Sequence, residues 1–130
     1  MISSIRVDGS TACMTVEGAT DTDVFRAYVG QLLCPTLRPG DLVIMDNLSP
    51  HKSDPTLGLI QARGAHVLFL PAYSPDLNPI ELMWSKVKSA LRSAEARTEL
   101  ALIQASAAAL ATVTRQDAIN WFAHCGYSII

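Results

Sequence analysis

Two short strand-like runs constrain this chain more than any other feature. Leu42-Val43-Ile44-Met45 is continuously apolar and stops at Asp46, and His66 to Leu70 is a second run, ended by Pro71. Such short runs, bounded by turn formers, suit strands buried on both faces, as in a parallel sheet. Between them lie a polar loop, Asn47 to Pro55, and a short helical segment to about Arg63, stopped by Gly64. Strand, helix and strand in succession make an α/β fold the expectation.

The flanks extend this pattern. Ile2 to Val7 and Thr11 to Glu17 surround Asp8-Gly9-Ser10 and read as a hairpin. Thr20 or Asp21 is placed to cap a helix whose stripe is Phe25, Tyr28, Val29, Leu32 and Leu33, ended by Pro35 and Pro39-Gly40. Pro71 to Pro79 carries three prolines and no obvious element. Asn78 and Pro79 then read as N-cap and first residue of a helix through Leu82, Met83, Val87 and Leu91. Another helix starts near Thr98, with Leu100, Ile103, Ala107 and Leu110 at spacings of three and four. A last one spans about Arg115 to His124, with Gly126 as its stop. The expected order is β-β-α-β-α-β-α-α-α.

Composition narrows the class. The 130 residues make one domain or part of one, and 49% hydrophobic content with mean hydropathy +0.24 argues against disorder. No apolar run reaches the length of a membrane span, and the first residues lack a signal-peptide layout. The expectation is a cytoplasmic protein without a membrane partner. Cys13, Cys34 and Cys125 are scattered and form no CxxC; His124-Cys125 alone is too few ligands for structural zinc. A net charge of −2 is unlike a free-standing nucleic-acid binder. Work on DNA would need a local basic face or a DNA-binding module elsewhere.

Two carboxylates carry the chemistry. Asp46 lies at the carboxyl end of a strand, where open α/β sheets bind ligands. Beside four apolar residues it is costly unless paired, capped or bound to a cation, and it equally suits an Asx-type turn with Asn47. Glu81 sits in a first helical turn, where it complements the helix dipole by roughly 0.3–1 kcal/mol. The rigid Tyr73–Pro79 segment also fixes its position. Mg²⁺ takes hard oxygen ligands, usually one or two of them carboxylates, and two such ions can clamp a phosphodiester. His51, five residues after Asp46, suits orienting DNA or a water, or bonding loop backbone. Tyr73 and Ser74 brace their loop or touch DNA. Lys86, Lys88 and Arg92 share the Glu81 helix; Lys88 and Arg92, four apart, make either a solvated face or a salt-sensitive phosphate contact. Trp84, in step with Val87 and Leu91, reads as core.

Asp46-Asn47 with His51, the string Phe69 to Glu81, and Trp84-Ser85-Lys86-Val87-Lys88 together resemble the catalytic domain of DDE transposases. The likeness is to the bacterial insertion-sequence branch of the mariner-like superfamily, whose hallmark is 34 residues between the second Asp and the Glu. Here positions 47 to 80 fill that gap. The resemblance covers most of the chain and implies an RNase H-like fold. It also implies two Mg²⁺ or Mn²⁺ ions and DNA strand cleavage and transfer at transposon ends. Asp46 and Glu81 would be catalytic metal ligands, facing each other across a small acidic cleft. Asn47, His51, Tyr73, Ser74, Asn78, Lys86, Lys88 and Arg92 would be site neighbours or DNA contacts.

The pattern departs from the family in one respect. The family's first Asp lies on a central strand upstream of the hairpin, whereas Met1 already begins the hairpin here. Asp8 falls at the hairpin tip, and Asp21 and Asp23 precede a helix. The expectation is therefore a single partial domain lacking the first central strand. Residues 1–92 hold the hairpin, strands and Glu81 helix, and 93–130 the C-terminal helices. Its expected partners are DNA, an upstream transposase portion carrying the first Asp and the DNA-binding region, and further copies in a homo-oligomer. The alternatives are an inactive remnant serving as a protein-interaction module, and another RNase H-like nuclease with its own first carboxylate.

Overall fold

The computed structural model describes residues 2–15, 21–46, 49–95 and 97–127. Val16 and Glu17 of the expected hairpin, the alternative cap Thr20 and the site candidate Asn47 lie outside them. The strands β1 (Ile2–Ile5) and β2 (Thr11–Met14) pair as a hairpin. Asp8 closes its turn, with Oδ1 accepting from the Ser10 N–H at 2.9 Å and the Ser10 hydroxyl at 2.6 Å. The Asp8 carboxylate is thus a turn former.

By contacts the chain groups into two compact units, residues 1–4 with 12–78, and residues 5–11 with 79–130. In the first, α1 (Thr22–Tyr28) is capped by Asp21, whose side chain accepts from the Val24 N–H. The expected straight helix through Leu33 is instead a π-turn over Val29–Leu33 and a 3₁₀ turn over Cys34–Thr36. Gly30 weakens helical preference in the widened turn, and Pro35 has no N–H to carry the ladder further. Tyr28 donates its hydroxyl to the Ala12 carbonyl at 2.7 Å, and burial pushes its phenol up to about 12.

The strands β3 (Leu42–Met45) and β4 (His66–Phe69) are parallel, Leu42 opposite His66 and Met45 opposite Phe69. Their connection holds a 3₁₀ turn at Ser49–Lys52 and α2 (Asp54–Gln61). The polar loop therefore ends earlier than expected. Ser53 caps the helix, and Pro55 lies in its first turn, where a missing N–H costs nothing. Gly64 adopts φ +76, and a Cβ there would stand 3.1 Å from Pro39. Its carbonyl accepts from the Gly40 N–H at 2.8 Å, beside the start of the ladder.

Val43, Met45, Val67 and Phe69 turn inward onto Phe25, Tyr28, Val29, Leu33 and Ile60. Leu42 and Leu68 turn outward and remain 56% and 46% exposed. The expectation of strands buried on both faces is corrected here: one face packs on a core, and Leu42 and Leu68 on the other are exposed.

In the second unit, α3 (Pro79–Ala94) packs against α4 (Glu99–Ala111) and α5 (Arg115–His124). Pro79 opens α3, and the residue before it, Asn78, is extended as a proline demands. Met83 and Val87 are fully buried, with Trp84, Leu91, Leu110 and Trp121 around them. Trp84 is core, as its spacing indicated. On α4 the buried residues are Ser106 and Ala109, while Leu100 and Ile103, expected to face inward, are exposed. At the hairpin tip Gly9 adopts φ +89, and a Cβ there would meet Thr114 and Arg115 backbone at 2.8 Å.

Candidate functional site

Asp46 is the residue immediately after β3, so a parallel strand ends on its carboxylate. Across the following loop, His51 Nδ1 comes within 2.7 Å of Asp46 Oδ1 and 3.2 Å of the Asp46 carbonyl oxygen. The imidazole packs on Phe25 of α1, centroids 4.3 Å apart. Only the carbonyl contact has hydrogen-bond alignment. Asp46 Oδ1 is shielded from solvent and lies close to His51 Nδ1, but has no aligned hydrogen bond among the described residues. The side chain as a whole is 44% exposed, so the open oxygen is Oδ2.

Tyr73, Ser74 and Asn78 lie on the loop between β4 and α3. Tyr73 is fully exposed and held at φ +58, the left-handed region that a bulky residue rarely adopts. Ser74 donates its hydroxyl to the Ala72 carbonyl at 3.4 Å, and a 3₁₀ turn over Pro75–Leu77 leads to the buried Asn78. These residues belong to the first unit, together with Asp46 and His51.

Glu81 belongs to the second unit and lies exposed in the first turn of α3. Further along, Lys86 is occupied: its ammonium donates to Asp117 Oδ2 at 2.6 Å and the Thr112 carbonyl at 3.0 Å. Lys88 is exposed, and Arg92 donates to Ser89 Oγ at 3.4 Å. The structure thus brings Asp46 and His51 together and ties Lys86 to Asp117 of α5.

The sequence reading missed two contributors. Phe25 was read only as core, yet it seats His51. Asp117 escaped notice although Thr114-x-x-Asp117 is a capping-box pattern, which α5 uses.

Among the described residues no group of three His, Cys, Asp or Glu side chains is gathered to hold a metal. Asp46 alone fits a hard divalent cation, with one oxygen buried and the other open, because Mg²⁺ takes few carboxylates per ion. Cys34 is a poor competing nucleophile, since burial pushes its thiol up.

An α/β chain with an open carboxylate at a parallel strand's end is of the class that binds ligands there. A model of the DDE superfamily endonuclease family matches residues 1–103, and the chain belongs to that family. Such domains act on DNA and generally use divalent metal ions. No curated relative matches the sequence. No helix among the described residues is long and apolar enough to cross a membrane.

Proposed function

We propose that this chain is part of a DNA transposase catalytic domain of RNase H-like fold. It belongs to the insertion-sequence branch of the mariner-like superfamily and performs metal-dependent strand cleavage and transfer at transposon ends in the cytoplasm. The observation that carries this reading is Asp46: a strand-terminal carboxylate with Oδ1 buried and Oδ2 open, within a chain of the DDE endonuclease family. Asp46 and Glu81 would hold Mg²⁺ or Mn²⁺, two ions in the complete site. Bound cations activate water and stabilise charge on the phosphodiester oxygens. Lys86, Lys88 and Arg92 would meet phosphates, with Asn47, His51, Tyr73, Ser74 and Asn78 as site neighbours.

The third carboxylate would come from a partner segment, an upstream transposase portion. Homo-oligomers are part of the same proposal. A second reading, an inactive remnant acting as an interaction module, is favoured by the exposed Leu42 and Leu68, which a partner could cover.

The test is cleavage of a transposon-end duplex with Mn²⁺, with and without the upstream portion. The transposase reading predicts cleavage by the joined parts that falls below detection in Asp46→Asn and in Glu81→Gln. Cleavage indifferent to both substitutions would overturn it. Tight association with no cleavage would favour the interaction module.

A further inference from the structure

We propose that His51 is a positioning residue for Asp46, bonding its carbonyl and standing against Oδ1 so that Oδ2 is presented to a divalent cation. The inference rests on the metal-ligand reading of Asp46. Its basis is the identity of the atoms around one ring nitrogen. Nδ1 faces the Asp46 carboxylate oxygen at 2.7 Å and the Asp46 carbonyl oxygen at 3.2 Å. Both neighbours are acceptors, and a bare Nδ1 would set lone pairs against lone pairs at those distances. The proton therefore sits on Nδ1, which fixes the tautomer and removes that nitrogen as a metal ligand.

The ring is itself held. Phe25 of α1 packs on it at 4.3 Å, and Ser53, two residues on, starts α2 as its cap. His51 is thus anchored from two helices while it bonds the backbone of Asp46 and crowds one oxygen of its carboxylate. A carboxylate on a strand end otherwise rotates freely, and each lost orientation weakens a metal site. Partners that orient a ligand typically account for about 10–100-fold in metal affinity.

Two measurements on the whole chain test this. In the first, ¹⁵N NMR of wild-type His51 should show Nδ1 as the protonated nitrogen. A ring protonated on Nε2 alone would overturn the proposal without recourse to any variant. In the second, Mn²⁺ affinity is titrated for wild type, Asp46→Asn, His51→Phe and His51→Asn. Asn places an N–H the same number of bonds from Cα as Nδ1, and Phe keeps the ring while losing the donor. The proposal predicts about tenfold or greater weakening in His51→Phe and recovery to within about threefold of wild type in His51→Asn. Weakening in Asp46→Asn without any in His51→Phe would sink the positioning role while sparing the metal reading. Affinity unchanged in Asp46→Asn, or no Mn²⁺ bound at all, would sink the metal reading, and the nitrogen shifts would still decide whether His51 grips Asp46.

Discussion

Asp117 receives the Lys86 ammonium at 2.6 Å and the Thr114 N–H at 3.1 Å. The bond from Lys86, with help from Thr114, holds its carboxyl below the ordinary 3.8. A carboxyl depressed in the folded state stabilises above its unfolded value, and that gain is lost as pH falls through the folded value. The contribution is thus complete by about pH 5 and vanishes in strong acid. Lys86→Met should lower stability by at most about 1 kcal/mol, since both side chains are roughly one-third exposed. It should also flatten the acid limb of stability measured by urea unfolding from pH 6 to 2. Gly9→Ala should cost more than about 1 kcal/mol, because φ +89 and the 2.8 Å approach to Thr114 both resist a Cβ; the shift in urea midpoint reads it. Individual chemistry was legible wherever a residue announces its own conformation. Asp8 as turn former, Asp21 as cap and Asp46 at a strand end were all readable, whereas the Lys86–Asp117 pair spans 31 positions and has no local signature.

Helix ends were readable because caps are local. Thr98 and Pro79 stand where the sequence put them, and α5 matches its expected span. Helix faces were less so. α4 is apolar on nearly all sides, so spacing alone does not choose an inward stripe; Ala109 packs with Met83 and Val87, and buried Ser106 donates its hydroxyl to the Leu102 carbonyl. Leu100→Ser should therefore change stability by no more than about 0.5 kcal/mol. Met83→Ala, on the fully buried face of α3, should cost about 2–5 kcal/mol in the same unfolding assay. The sheet taught a similar lesson. The order and pairing of β3 and β4 followed from their apolar runs, but exposure of Leu42 and Leu68 depends on how many layers surround the sheet, which four-residue runs do not encode.

At the scale of the whole chain, each unit contributes one candidate ligand, Asp46 from the first and Glu81 from the second. A net charge of −2 means that long-range attraction to DNA is weak, so duplex binding by this chain alone should be slight and fade with added salt. Family membership came from the joined strings around Asp46 and Glu81, since a 34-residue gap between two carboxylates carries no physical necessity of its own. The central proposal is that Asp46 and Glu81 are both metal ligands. The most direct measurement loads the chain with Fe²⁺, generates hydroxyl radicals with ascorbate and peroxide, and maps the backbone cuts by mass spectrometry. Shared ligation predicts cuts clustered near both Asp46 and Glu81, suppressed by excess Mn²⁺ and lost at both places in Asp46→Asn. Cuts confined to one of the two, or surviving that substitution, would contradict it.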